Sequence, residues 1–251
     1  MGLIWATAFL QIATLDHSAW NTLLTRYVNA QSRVDYQRWK AADIPALDGY
    51  LLQLAAPWPS GITAQERKAA LINAYNALTV RWILRQYPVP SVWATPKPFV
   101  TPRHIVDAKK VSLDGIETQL RNLGDPRVHA VLVCAARSCP PLRREAYSAE
   151  RLDAQLDDNA RAWLASPALN EFFPAGRLAK VSPIFEWYAK DFPSVPQFLA
   201  AYAPVDERAF LREPGLKIEF KQYHWGLNDT APLGLDYGGL RFLWDYIWNK
   251  R

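Results

Sequence analysis

The sequence predicts an α+β fold, mainly helical and arranged as a single domain around a small β-sheet. Three observations lead there. Residues 63–87 read as one long helix that is apolar nearly all round between Ala69 and Leu84, a pattern that belongs at the centre of a fold. The run Arg127–Cys134 is β-rich and almost wholly apolar, as in a strand buried on both faces. The other candidate elements are short, separated by turn residues, and show neither an internal repeat nor a low-complexity tract.

Each element follows from local chemistry. Asp16 or Ser18 caps a first helix whose apolar positions Trp20, Leu23, Leu24 and Tyr27 share one face. Val34-Asp35-Tyr36 reads as a short extended link, and a second helix runs from Asp43 to Ala55 before the breaker Pro57-Trp58-Pro59-Ser60-Gly61. Thr63-Ala-Gln-Glu66 has capping-box spacing and opens the long helix, which Pro88 stops. Five prolines between Pro88 and Pro102, set among aromatics, predict an ordered surface loop. Ile105–Val111 suits a hairpin, and Ser112 or Asp114 a cap for a short helix through Leu120. Beyond Pro141 a helix capped near Ser148 extends to Leu164, followed by a hairpin over Asn170–Val181 around Gly176. Short helices are expected at 182–192, 196–202 and 206–211, a strand at 217–223, and an amphipathic helix at 239–248.

Composition narrows the function. Half of the 251 residues are hydrophobic and about a fifth are charged, enough for one substantial core. The 29 basic residues give a net charge of +5 but form no Lys/Arg tract, which argues against a nucleic-acid partner. Eleven tryptophans and eleven tyrosines fill cores at this density, with some free to line a groove. Residues 1–14 contain the apolar run Leu3–Ala13, too short for a transmembrane segment and long enough for a signal-peptide core, although no basic residue precedes Arg26. Two readings stand: a signal-like segment on a periplasmic or secreted protein, or an N-terminal helical segment on a cytoplasmic one. Residues 15–251 are the domain proper.

The chemistry concentrates in one stretch. Asp125-Pro-Arg-Val-His129-Ala-Val-Leu-Val-Cys134-Ala-Ala-Arg137-Ser-Cys139-Pro-Pro-Leu142 holds both cysteines and one of four histidines. A thiol becomes a nucleophile when a histidine or a positive charge lowers its pKa. Cys139, stiffened by two following prolines and set in a loop beside Arg137, is the candidate nucleophile and the expected exposed thiol. Cys134, at the end of an apolar strand, is the more buried candidate with a supporting role. His129 is the candidate base, although in a regular strand it and Cys134 lie on opposite faces. Glu117, late in the preceding helix, is the candidate for fixing the His129 tautomer. Asn73, Tyr75, Asn76 and Thr79 interrupt the apolar surface of the long helix; buried amides need partners, so Asn73 and Asn76 either donate to a substrate oxyanion or brace the cysteine loop. Arg137 suits a substrate carboxylate. The pairing state of Cys134 and Cys139 is left open by a spacing of five. The chain has no Gly-rich phosphate loop, no His-Glu-x-x-His helix and no Gly-x-Ser-x-Gly elbow, and the His129, Cys134, Cys139 spacing matches no common zinc pattern, so neither metal nor cofactor is expected.

Several segments, in order, carry a resemblance: Val34-Asp-Tyr36, Ile72-Asn-Ala-Tyr75-Asn76-Ala-Leu78, Ser112-Leu-Asp-Gly-Ile-Glu117, Asp125-Pro-Arg-Val-His129, Cys134-Ala-Ala-Arg-Ser-Cys139-Pro-Pro-Leu142, Ile184-Phe-Glu-Trp-Tyr188 with Asp191-Phe192, and Tyr223-His-Trp-Gly-Leu-Asn228. Over roughly residues 34–228 the chain resembles the bacterial family known as domain of unknown function 547. It departs from that family's pattern at Ala70-Leu71, where Phe-Trp is common, and at His224, where an aspartate is common. The resemblance implies kinship and no particular reaction.

Three functional readings follow. The first is a cysteine-dependent hydrolase or acyl transferase acting on a small-molecule or peptide substrate, with Cys139 as nucleophile, His129 as base, Glu117 as orienter, and Asn73 and Asn76 near the oxyanion. The second is a thiol redox protein, since a strand leading to Cys139-Pro-Pro is superficially like a thioredoxin-type turn, with Leu142 where a second cysteine would stand. The third is a non-catalytic scaffold whose aromatic groove holds a peptide or glycan, with structural cysteines.

Overall fold

The computed structural model describes residues 14–250. The apolar run before Thr14, read as a signal-like or helical segment, lies outside the described residues. Four helices open the fold: α1 (Ser18–Tyr27), α2 (Tyr36–Ala42), α3 (Ile44–Ala55) and α4 (Ala64–Gln86). As its pattern predicts, α4 is the spine, with every residue from Lys68 to Val80 buried. Its start is capped by the Thr63 hydroxyl, which accepts from the Glu66 N–H at 3.1 Å. Both α3 and α5 (Leu113–Arg121) pack against α4. The Ser112 hydroxyl accepts from the Gly115 N–H and caps α5.

Helix α2 starts at Tyr36, the last residue of the expected extended link, and fills residues 37–42, for which no element was expected. Asp35 caps it by accepting from Arg38 N–H, while Val34, just before the cap, forms isolated β-bridges with Val28 and Asp229. The extended stretch is therefore real and ends one residue earlier than expected.

The sheets are small, in keeping with an α+β domain. The strands β1 (His104–Val106) and β2 (Lys109–Val111) form the first hairpin. The strands β3 (Glu171–Phe173) and β4 (Leu178–Val181) form the second, and β5 (Lys217–Phe220) adds to β4 in parallel. Around them lie α6 (Leu152–Leu164), α7 (Ile184–Trp187), α8 (Val195–Tyr202) and α9 (Gly239–Asn249).

The expected strand at 127–134 does not form. Pro126–Ala130 is a 3-10 turn, capped by Asp125 as it accepts from Arg127 N–H, and the chain then runs irregularly to the cysteines. The segment is as buried as expected, with Val128, Ala130, Val131 and Val133 almost fully enclosed. Its backbone finds side-chain partners instead of a strand. Asn159 on α6 donates to the Ala130 carbonyl at 2.5 Å, and Asn76 on α4 donates to the Val131 carbonyl while accepting from the Val133 N–H, both at 2.9 Å. With these groups satisfied, burial no longer requires a ladder.

Candidate functional site

The irregular segment ends in a loop that a second chain segment holds in place. Among the described residues the two cysteines are joined to each other, with their Cα atoms 6.4 Å apart. Between them, Arg137 N–H donates to the Gly226 carbonyl at 2.7 Å, and Asn228 N–H donates to the Ala135 carbonyl at 2.9 Å. The Ser138 hydroxyl accepts from His224 N–H at 2.8 Å. Ala135 adopts φ of 68°, a left-handed conformation unfavourable for a residue with a Cβ, so these bonds hold the loop in a shape it would not choose alone.

This packing depends on glycine. A Cβ on Gly226 would stand 1.9 Å from the Gly234 carbonyl oxygen, and one on Gly234 would stand 2.0 Å from that of Pro90. Three backbone segments thus meet at a distance that only glycine allows.

The disulfide forms part of the wall of a cavity of about 810 Å³. Cys139 is the deeper sulfur, with the residue only 5 % exposed, and Cys134 is the more accessible. This reverses the expected order, because residues 135–138 are folded against 224–228 instead of standing free. The Cys139 Sγ accepts from the Cys134 N–H at 3.1 Å and from the Tyr223 hydroxyl at 3.3 Å. The same hydroxyl lies 3.4 Å from the Cys134 sulfur. Burial raises the Tyr223 pKa, so it stays a neutral donor.

His129 lines the same cavity. Its Nε2 meets Asp191 Oδ2 at 2.8 Å, and Asp191 is held in turn by Arg121 at 2.5 and 3.2 Å. The partner is therefore Asp191, beyond α7, where Glu117 was expected. Burial lowers the His129 pKa while Asp191 pulls the other way; the ring is neutral at pH 7 and donates a hydrogen bond from Nε2–H to the carboxylate. No hydrogen bond among the described residues uses Nδ1. Glu117 also reaches the cavity, where it lies near the Tyr188 hydroxyl and makes no hydrogen bond to His129. Burial raises its pKa.

Tyr75 completes the set of expected residues found in the cavity; the other three lie elsewhere. Asn76 spends both halves of its amide on Val131 and Val133, as above. Asn73 does the same for Tyr147, donating to its carbonyl at 2.8 Å and accepting from its N–H at 3.0 Å. Their geometry is that of braces, and neither residue lines the cavity where an oxyanion would lie. Arg137 turns away, donating to the Asp229 and Ala231 carbonyls at 3.3 and 3.2 Å beside a smaller cavity of about 240 Å³.

Much of the rest of the wall is aromatic. Trp187 stacks on Trp225 with centroids 5.7 Å apart, Tyr223 lies 4.4 Å from Trp225, and Trp93 meets Trp225 edge-on at 5.5 Å. Helix α9 closes one side with Phe242, which stacks on Trp225 at 5.7 Å, and Tyr246. The sequence signal for Trp187, Tyr223 and Trp225 was the Tyr223-His-Trp225 and Glu186-Trp187-Tyr188 motifs, quoted above for resemblance alone. Asp191 lay in the same motif.

Two further properties hold among the described residues. No cluster of three or more His, Cys, Asp or Glu side chains is arranged to hold a metal ion, and no helix is long and apolar enough to cross a membrane.

Searches of curated proteins and of solved structures found no match. Residues 59–164 match the family model described as "Protein of unknown function, DUF547", a span that contains α4, α5, His129 and both cysteines. Over these residues, about two-fifths of the chain, the sequence is similar to the DUF547 family.

Proposed function

We propose that this domain carries out thiol–disulfide exchange in the aromatic cavity, with Cys134 and Cys139 as the redox pair. One observation carries the reading: the disulfide lines the cavity, and its deeper sulfur already holds two hydrogen-bond donors, Cys134 N–H and the Tyr223 hydroxyl. An incoming thiolate attacks the more accessible Cys134 Sγ, forming a mixed disulfide and breaking the Cys134–Cys139 bond. Cys139 leaves as a thiolate, and the two donors stabilise that charge. A second thiolate then attacks the mixed disulfide at the substrate sulfur, releasing a small disulfide and the Cys134 thiolate. Two thiols are oxidised and one protein disulfide is reduced. A paired state also supports an oxidising compartment, in line with the exported reading of the N-terminus.

The test is trapping. In Cys139→Ser, Cys134 has no internal partner and is expected to accumulate a mixed disulfide with added oxidised glutathione, read by mass. In the wild type, dithiothreitol should reduce the pair while the protein stays folded by near-ultraviolet dichroism, and Tyr223→Phe should slow that reduction. A disulfide that yields to dithiothreitol only on unfolding would overturn the reading.

A second reading is favoured by the His129–Asp191 pair. With Nε2 held by a carboxylate and Nδ1 free, His129 has the arrangement of a general base in the cavity that both cysteines line, so the reduced protein would be a cysteine-dependent hydrolase or acyl transferase with Cys139 as nucleophile. It predicts that an activated ester is cleaved only after reduction, and that His129→Ala abolishes this cleavage.

A further inference from the structure

The cavity has a charge pattern that sulfur chemistry does not require. Glu117 and Asp114 both line it from α5, one helical turn apart. Neither takes part in an ion pair among the described residues. Arg121, the nearest cation along the helix, is committed to Asp191 and lies 4.8 Å over the Tyr188 ring. Lys250, the one lysine in the lining, sits 4.7 Å over the Tyr246 ring and bridges to no carboxylate among the described residues. His129 is neutral. Beside the acids, Tyr75 is 3 % exposed and lines the cavity, yet its hydroxyl has no hydrogen-bond partner among the described residues. A hydroxyl that opens into the cavity without a protein partner is available to whatever enters there.

These features have a common complement. Indole and phenol faces attract cations through their ring quadrupoles, and Lys250 on Tyr246 shows one such face in use. Carboxylates lacking a cation add to the same field. We propose that the cavity binds an organic ammonium: a primary amine on an apolar body, its N–H groups directed at Glu117 and the Tyr75 hydroxyl and its body lodged among Trp187, Tyr223 and Trp225. The proposal rests on the cavity assigned above to exchange, and not on exchange itself.

The probes are phenethylamine, 2-phenylethanol and 3-phenylpropanoate, which share one apolar body and differ in charge. Each is titrated by calorimetry into the oxidised full chain, with tryptophan fluorescence as a second readout. The amine is expected to bind at least tenfold more tightly than the alcohol, and the carboxylate more weakly than either. In Glu117→Gln, which keeps the shape and removes the charge, the amine should fall to the level of the alcohol while alcohol binding persists and reports an intact cavity. Asp114→Asn, further out on the rim, should give a smaller loss of the same kind and guards against a folding defect in the first variant. Alcohol or carboxylate binding as tight as the amine, no measurable amine binding, or an amine preference unchanged in both variants would overturn the proposal. Because no thiol is present, a protein inert to glutathione can still pass this test, and one that exchanges thiols without preferring the amine fails only here.

Discussion

Replacing Asn76 by alanine tests whether side-chain amides hold the cysteine segment where a strand would have held it. Asn76 is 2 % exposed and bonds the Val131 carbonyl and the Val133 N–H, both themselves in the core. Truncation leaves one buried acceptor and one buried donor without partners, at about 1–3 kcal/mol each, so Asn76→Ala should lose about 2–6 kcal/mol. That is a large part of the roughly 5–15 kcal/mol available to an ordinary domain. Urea unfolding with an unchanged m-value is the assay. Asn76→Asp refines it. An ionised carboxylate can still accept from Val133 N–H but faces the Val131 carbonyl with no proton to give; the neutral acid restores the donor. The folded-state pKa at this position is then raised above the unfolded value of about 3.9. A group so raised contributes stability that is present at low pH and lost as pH rises through the folded pKa, so the deficit against wild type at the same pH should shrink from pH 7 to pH 4. A loss below about 1 kcal/mol for Asn76→Ala, or a deficit for Asn76→Asp that ignores pH, would refute the bracing argument.

Two further outcomes follow from the same physics. Gly234→Ala places a Cβ 2.0 Å from the Pro90 carbonyl oxygen at a φ of +76°, and should cost about 2 kcal/mol or more in thermal unfolding. A melting temperature within a degree of wild type would mean that this backbone crossing is not tight. His104 is held neutral by burial and by the charge of Arg103, with its pKa pushed down to about 4. Its unfolded form takes up a proton near pH 6.5 and the folded form does not, so stability falls between about pH 6.5 and 4, by about 2 kcal/mol at pH 5. His104→Gln should remove that share of the acid sensitivity; an unaltered pH profile would show the histidine to be solvated.

What could be read in the chain depended on how far each partner lay along it. Helix α4 was legible because its cap, apolar interior and stop all sit within one stretch, and both hairpins were legible for the same reason. Helix α2 was missed although its cap, Asp35, was in view, because the β-prone Val34 and Tyr36 flanking it outweighed a seven-residue helix. The need of Asn73 and Asn76 for partners could be stated from sequence. Their identity could not, since Tyr147 and Val131 become neighbours only through the tertiary fold. The orienter of His129 was assigned to Glu117 by proximity in sequence, and Asp191, 62 residues away, took the place.

The strand misread at 127–134 shows why local pattern fails at this site. An amide side chain presents both N–H donors and a carbonyl acceptor, the groups a peptide unit offers, so an asparagine can replace a neighbouring strand one bond at a time. The fold does this repeatedly: Asn73 with Tyr147, Asn76 with Val131 and Val133, and Asn170 with the Trp163 carbonyl and the Ser182 N–H. A ladder would have kept the segment straight and its side chains alternating. Point attachments let it curve, so that His129 and both cysteines, which a regular strand would have divided between two faces, all line the same cavity.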